Sequence, residues 1–245
     1  MKKLFLLAVL ALGTLSINAQ KNVYISTTSG TDVSKYVGQT VNVTIYRQVF
    51  NGWNTICLPF SMTSEEIDAA FGAGCKLETL TDVTYDNQNV TLNFSDVKKK
   101  GIEAGKPYLL YYPGENKSFT ISLKNKELVN DYVPVVVNGF TFVGTKTHFD
   151  GAGQYGILAR DNKESSFVAV DTKGTNGFYA SRCYINAPAN SPLTLAATHN
   201  NGATNIKDVE NKSAASSEVY NLAGQKVNNA QKGINIVNGK KVLVK

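Results

Sequence analysis

Histidine and cysteine, on which many catalytic and metal sites depend, are scarce in this chain. It has two histidines and three cysteines in 245 residues. No G-x-S-x-G or H-E-x-x-H pattern occurs, and the cysteine and histidine spacings fit no zinc site. Cys183 and His148 make a formal nucleophile–base pair, but Cys183 alternates like a core strand residue, and His199 falls in a polar stretch typical of a linker. The sequence therefore predicts a protein that is not an enzyme and carries no cofactor or metal.

Acidic residues leave one catalytic alternative open, because glycoside hydrolysis needs a pair of carboxylates that can come from distant parts of a chain. The candidates are Glu65, Glu66, Glu103, Asp150 and Asp171. Glu65 and Glu66 suit the first turn of a helix, and the other three lie at predicted turns.

Long apolar runs are absent after the N-terminus. Lys2 and Lys3 precede an uncharged run from Leu4 to Leu12, and small and polar residues follow as far as Ala19. This order is typical of a cleavable signal peptide, and the run is shorter than the roughly 20 residues that span a bilayer. We predict that residues 1–19 are a signal peptide and that the export machinery is a partner. An uncleaved anchor or a buried core helix is the alternative.

A dense basic stripe is also missing. The formal charge is +6, but the lysines are scattered apart from residues 98–100 and 240–241. Nucleic-acid binding leaves a clustered basic footprint, so no nucleic-acid partner is predicted.

The three cysteines are Cys57, Cys75 and Cys183. Disulfides persist in the compartments that an exported chain enters, and an odd count leaves one thiol over. A Cys57–Cys75 bond would close a short loop and stabilise the fold by about 3 kcal/mol. The alternative is that all three are small buried hydrophobic residues.

Alternating apolar and polar residues, the pattern of β-strands, are abundant in this sequence. In Thr40–Val49, apolar Val41, Val43 and Ile45 alternate with polar residues, which is the period of a half-buried strand. Further predicted strands cover residues 53–60, 76–83, 90–94, 107–112, 117–123, 132–137, 140–144, 154–159, 166–171, 177–186 and 191–197. Asn138-Gly139 predicts a two-residue hairpin turn. Strands recurring about every ten residues predict an all-β domain over residues 20–199, with antiparallel sheets in a sandwich or barrel-like arrangement, in one body or two small subdomains.

A short helix interrupts this pattern. Thr63 and Glu66 have the spacing of a capping box. Ile67, Ala70 and Phe71 then fall on one face, and Gly72 is a stop signal.

The composition changes near residue 200. Residues 200–217 are small and polar, as in a linker, and residues 218–245 hold four short β-type pieces. Asn238-Gly239 between the last two is a hairpin signal. The sequence thus predicts a linker followed by a C-terminal β tail.

The tail resembles the end of the C-terminal sorting domains of the bacterial type IX secretion system. The matching positions are Tyr220, Asn221, Leu222, Gly224, Lys226, Val227, Lys232, Gly233, Ile234, Ile236, Val237 and residues 241–245. The resemblance implies a secreted protein or one on the outer face of the outer membrane. The periplasm is the expected location if the tail is not a working signal.

The central region is similar to modules of uncharacterised secreted proteins of Bacteroidetes-type bacteria. Residues 50–60, 71–72, 104–109 and 177–185 carry the similarity. It implies an exported, β-rich protein and no particular activity.

Four aromatic residues are candidate sugar-stacking rings: Trp53, Tyr108, Tyr111 and Tyr112. Residues 107–112 are apolar on both faces, which favours burial between two layers instead. The sequence as a whole predicts an exported, non-catalytic β-sandwich with an adhesion-like or structural interaction role. The alternative is an accessory carbohydrate-binding protein or, less favoured, a glycan hydrolase.

Overall fold

The structure is a computed structural model that describes residues 20–86, 89–157, 165–170, 177–200, 219–220, 226–227, 233–237 and 240–244. The described residues form mainly strands, with one α-helix and two 3-10 turns, so the predicted all-β class is confirmed. The chain divides into two compact units, Met1–Gly202 and Ala203–Lys245.

The first unit contains thirteen strands within its described residues. They are β1 (Asn22–Ile25), β2 (Thr40–Val49), β3 (Gly52–Ile56), β4 (Lys76–Asp86), β5 (Asn89–Asp96), β6 (Tyr108–Tyr112), β7 (Lys117–Glu127), β8 (Val135–Val137), β9 (Phe140–Gly144), β10 (Tyr155–Ile157), β11 (Ser166–Ala169), β12 (Cys183–Asn186) and β13 (Thr194–Asn200). The 3-10 turns are Ser34–Tyr36 and Lys98–Lys100.

The strands of the first unit form two sheets. One sheet has the order β1-β2-β7, and the other has the order β3-β6-β4-β5-β13-β11-β10-β12-β9-β8. Most neighbours are antiparallel, as predicted, but β1 runs parallel to β2 and β13 runs parallel to β5. The Asn138-Gly139 hairpin is confirmed: β8 and β9 pair on either side of it, and both turn residues have positive φ.

The helix α1 (Ser64–Phe71) begins with the predicted capping box. The Glu66 N–H donates to the Thr63 hydroxyl at 3.2 Å, and the Thr63 N–H donates to the Glu66 carboxylate at 2.9 Å. Ile67 and Phe71 are buried, and the helix ends at Gly72, whose φ is +93°. Because two turns alone do not make a stable helix in water, this apolar face is what holds α1 in place.

Two hydrophobic cores lie on opposite sides of strands β3, β4 and β6. The first core joins these strands to β1, β2, β7 and α1, and the second lies inside the ten-stranded sheet. Tyr108 and Leu110 of β6 belong to the first core, whereas Leu109 belongs to the second. The predicted burial of β6 between two layers is therefore confirmed.

The ten-stranded sheet curls until the end of β3 meets the start of β12, and we call this meeting line the seam. The Cys57 N–H donates to the Ser181 carbonyl at 3.2 Å, and the Cys183 N–H donates to the Thr55 hydroxyl at 3.0 Å. Arg47 of β2 is fully buried, and its guanidinium donates to the carbonyls of both Thr55 and Ser181. One side chain from the smaller sheet thus ties both sides of the seam together.

Several predicted strands differ in length from those observed. Only residues 183–186 of the predicted strand 177–186 form β12, since Ser181 has a φ of +60°, which breaks an extended run. The strand predicted at 132–137 is shortened to β8, and β1 was not predicted.

The second unit contains a four-stranded antiparallel sheet in its described residues. Its strands are β14 (Val219–Tyr220), β15 (Lys226–Val227), β16 (Gly233–Val237) and β17 (Lys240–Val244), in the order β15-β14-β16-β17. Tyr220, Gly233 and Ile234 of the sorting-like pattern lie on these strands, and Gly224 lies outside the described residues. Most of the predicted linker also lies outside them.

Candidate functional site

The four aromatic residues proposed for sugar stacking do not form an open platform. Trp53 and Tyr108 are buried, and Tyr111 and Tyr112 are half-buried. Trp53 and Tyr111 pack in or against the second core, whereas Tyr108 and Tyr112 pack in or against the first. Core packing, the alternative that the sequence offered for these rings, is their role in this structure.

Trp53 instead stacks on a histidine. The indole ring lies parallel to the His199 imidazole, with ring centroids 3.8 Å apart and an interplanar angle of 8°. His199 lies in β13 and is mostly buried, so its expected place in a linker is wrong. Because β13 pairs in parallel with β5, His199 lies within the ten-stranded sheet.

His199 is the centre of a hydrogen-bonded chain of three side chains. Its Nδ1 lies 2.6 Å from a Glu78 carboxylate oxygen, and its Nε2 lies 2.6 Å from the Ser165 hydroxyl. Glu78 comes from β4, and Ser165 immediately precedes β11. These hydrogen bonds therefore connect β4, β13 and the residue before β11, which are distant in sequence.

The direction of the hydrogen bonds in this chain depends on where its protons lie. If Glu78 is ionised, it accepts from Nδ1–H, and Nε2 accepts the Ser165 proton. If Glu78 is protonated, it can donate to Nδ1, and the Nε2–H then donates to Ser165. Burial raises the pKa of Glu78, and the hydrogen bond from His199 offsets part of that rise. The other carboxylate oxygen, Oε1, is buried without a hydrogen-bond partner, which adds to the cost of the ionised form.

A serine, a histidine and a carboxylate joined in this order also form the catalytic triad of many hydrolases. A nucleophile must however meet its substrate, and Ser165 is only 6% exposed. Glu78 is fully buried, and Trp53 covers one face of the imidazole. Because the three hydrogen-bonded side chains Glu78, His199 and Ser165 are enclosed in this way, they are suited to holding β4, β13 and the start of β11 together.

The described carboxylates proposed for glycoside hydrolysis form ion pairs with lysines, lie in α1 or are exposed. Glu66 forms an ion pair with Lys126 at 2.6 Å, and Glu103 pairs with Lys106. Asp150 is exposed, Glu65 lies in the first turn of α1, and Asp171 is outside the described residues. Glu66 and Glu103 are thus each paired with a lysine.

All three cysteines are buried free thiols. Cys57 and Cys183 belong to the second core, whereas Cys75 belongs to the first. The structure therefore has no Cys57–Cys75 bond, because different cores separate the two side chains. Burial raises the pKa of all three thiols, that of Cys183 to about 12.

Within the described ranges, no group of three or more histidine, cysteine or acidic side chains is placed to hold a metal ion. In the same part of the chain, no helix has both the length and the apolar character needed to cross a bilayer. Of the lysine cluster at 98–100, Lys98 forms an ion pair with Asp68 at 2.5 Å.

The outer surface of the three-stranded sheet is exposed. Its residues alternate with the buried residues of β1, β2 and β7 and lie in paired rows across the sheet. The uncharged ones that lie next to one another are Asn22, Tyr24, Asn42, Thr44, Tyr46, Gln48, Ser118, Thr120 and Ser122. We call this set the neutral face, because none of the nine side chains is charged. Exposed Lys124, the next outward residue after Ser122 on β7, and Glu127, which pairs with Thr40, border this set.

Two exposed tyrosines stand on the neutral face. Tyr24 is 59% exposed and Tyr46 is 48% exposed. Tyr24 pairs with Thr44, two residues before Tyr46 along β2, and the Thr44 and Ser122 hydroxyls lie 3.3 Å apart. Tyrosine offers a large rigid ring with a polar tip, and serine, threonine and asparagine offer adaptable hydrogen bonds. The face is chemically suited to binding an uncharged polar partner.

Sequence reasoning missed both features. The alternation of Thr40–Val49 did indicate which residues of β2 face outward. It could not show that β1 and β7 flank β2, nor that His199 lies beside Glu78, because both depend on contacts between distant segments.

Comparison of the chain with protein-family models, with curated proteins and with solved structures gives no match.

Proposed function

We propose that the protein is exported and acts without catalysis at or outside the cell surface, as an adhesion-like or structural interaction component. The signal-like residues 1–19 and the sorting-like tail support export. If the tail is not a working signal, the same role would be carried out in the periplasm.

The neutral face is the observation that carries the interaction role. Its nine uncharged side chains lie next to one another across three strands, with Lys124 and Glu127 at their border. Exposed charges oppose association with uncharged surfaces, because they must lose water on contact. Aromatic residues are enriched in interfaces and charged ones are depleted from interface cores, so this composition favours contact with a partner.

A second candidate, accessory carbohydrate binding, is favoured by the same face rather than by the buried Trp53. The Tyr24 and Tyr46 rings are exposed, and hydroxyl and amide side chains surround them. Rings of this kind can stack on sugars while neighbouring hydroxyl and amide groups bind sugar hydroxyls. The partner class would then be a neutral glycan.

The test compares a face variant with an off-face control. Tyr24→Ala/Tyr46→Ala removes both exposed rings of the face, and Tyr85→Ala removes a ring of equal exposure, 59%, on β4. On a printed array of neutral, sialylated and sulfated glycans, the carbohydrate candidate expects binding to neutral glycans that the double variant loses and the control keeps. Binding to sulfated glycans alone would contradict it.

For the wider interaction role, a photo-crosslinking amino acid replaces Tyr46 in one protein and Tyr85 in another, and each is illuminated on intact producing cells. We expect a crosslinked species from position 46 and none from position 85. Equal yields from both positions, together with an array on which the wild type binds nothing, would contradict the neutral face as an interaction surface.

A further inference from the structure

The two thiols at the seam are placed for a covalent bond with each other. Gly144 lies directly opposite Cys183 in the β9–β12 ladder. A Cβ atom built on Gly144 would lie 2.2 Å from the Cys57 Sγ and 2.7 Å from the Cys57 Cβ. Cys57 thus fills the space that a side chain at position 144 would take, beside the side chain of Cys183.

Two standard Cβ–Cβ distances bear on whether Cys57 and Cys183 can be joined. Directly opposite residues in an antiparallel pair have Cβ atoms about 4.5–5.5 Å apart on the same face, and a disulfide needs a Cβ–Cβ distance of about 3.5–4.5 Å. The Cys183 Sγ lies 3.9 Å from the carbonyl of Tyr108, which pairs with Ile56, the residue before Cys57. These contacts place the side chains of Cys57 and Cys183 in the same part of the second core.

Hydrogen bonds hold the main chain in place at both Cys57 and Cys183. The seam hydrogen bonds join Cys57 to Ser181 and Cys183 to Thr55, so each cysteine is bonded to the residue two positions from the other. Cys75 lies in the other core, with its sulfur 3.9 Å from Asp68.

We propose that Cys57 and Cys183 form a disulfide across the seam, and that Cys75 remains a free thiol. The occurrence of this bond in the cell rests on the proposed export, whereas the pairing itself is a property of the folded chain. Of the three pairings that the sequence allows, this one joins the residues that the fold brings together.

The oxidation balances with a disulfide oxidant such as glutathione disulfide. As the S–S bond forms, the two thiols give up two protons and two electrons, and the oxidant takes them up and leaves as two thiols. Both thiols are fully enclosed in the folded chain, and burial holds their pKa values well above the usual range. Since the thiolate is the reacting form, the bond must form while the chain is folding, before the core closes.

The pairing is tested on the full chain without its signal, unfolded in reductant and refolded with a glutathione redox couple. Free thiols are alkylated in denaturant, and linked peptides are mapped by mass spectrometry. Trypsin alone leaves Cys57 and Cys75 in one peptide, so a glutamate-specific protease is added to cut at Glu65 or Glu66 between them. We expect a Cys57–Cys183 link and an alkylated Cys75. A link that contains Cys75, or three alkylated thiols, overturns the pairing.

Variants separate the bond from general effects on folding. Because the bond closes a long loop, Cys75→Ser and the wild type should each melt about 5–15 °C lower when refolded with reductant than with the redox couple. Cys57→Ser should melt equally under both conditions. Gly144→Ala should reduce the linked fraction, because its new methyl group displaces the Cys57 sulfur. An equal shift in Cys57→Ser would overturn the pairing.

The same mapping on protein taken from the producing cells separates the two proposals. If the refolded protein is linked but cellular protein is fully reduced and keeps residues 1–19, export fails and the pairing stands. If exported protein is isolated without the link, the pairing in the cell fails and export stands.

Discussion

Among the carboxyl side chains that the structure describes, Glu78 is the one that is fully buried. Its Oε1 has no hydrogen-bond partner, and burial raises its pKa. The folded protein therefore keeps this proton to a higher pH than the unfolded chain does. Stability consequently falls as the pH rises through the interval that starts near the ordinary value of 4.5 and ends at the raised value.

We predict that Glu78→Gln removes this part of the pH dependence. Glutamine keeps the shape and a hydrogen bond to His199 but cannot ionise. The midpoint of urea unfolding, followed by fluorescence of the single tryptophan, Trp53, is measured from pH 4 to pH 8 in both proteins. Relative to the variant, the wild type should lose stability toward the upper end of the range. A constant difference between the two proteins would contradict the raised pKa.

Ser165 tests whether the histidine chain is structural. Ser165→Ala leaves a buried imidazole nitrogen unpaired, so we expect the free energy of unfolding to fall by about 1–2 kcal/mol. Ser166→Ala, at the next and less buried position, is the control and should change little. A fluorophosphonate probe should leave the wild type unlabelled. Labelling at Ser165 would contradict the non-catalytic account.

At the scale of strands and helices, Arg47 is a residue that couples the two sheets. Its guanidinium donates to carbonyls on both sides of the seam, and burial lowers its pKa. We predict that Arg47→Met lowers the free energy of unfolding by about 1–3 kcal/mol, because two buried carbonyls lose their donor. Lys35→Met, at an exposed position, is the control. A loss below about 1 kcal/mol in urea unfolding would show that the seam does not depend on Arg47.

Local elements were predictable from the sequence, but their long-range partners were not. The Thr63–Glu66 capping box and the Asn138-Gly139 turn are encoded within a few residues, and both are confirmed. The seam joins Arg47, Thr55 and Ser181, which no local pattern connects. Parallel pairing of β13 with β5 likewise depends on segments more than 100 residues apart, which explains why His199 was misplaced.

The candidate site was predictable only in part, for the same reason. Outward positions of β2 such as Thr44 and Tyr46 follow from its alternation. Trp53 and Tyr108 were proposed as ligand-stacking rings, yet both are buried, because β3 and β6 lie between two cores. Strand patterns show that a face is apolar, but they do not show whether another layer covers it.

For the molecule as a whole, the division into two units predicts the effect of removing the tail. The described members of both hydrophobic cores belong to the first unit. We therefore expect a chain ending at Gly202 to melt within about 2 °C of the full chain, as measured by calorimetry. If the tail is a sorting element, the shortened protein should also collect in the periplasm. A fall of about 10 °C would mean that the tail stabilises the main unit.

Export is the claim on which the proposed role depends most, and one measurement tests it directly. Cytoplasm, periplasm, outer membrane and medium of the producing cells are separated, and both ends of the protein are determined by mass spectrometry in each fraction. We predict a chain that begins at Gln20 and is found on the cell surface or in the medium. A chain that keeps residues 1–19 and stays in the cytoplasm would contradict the account.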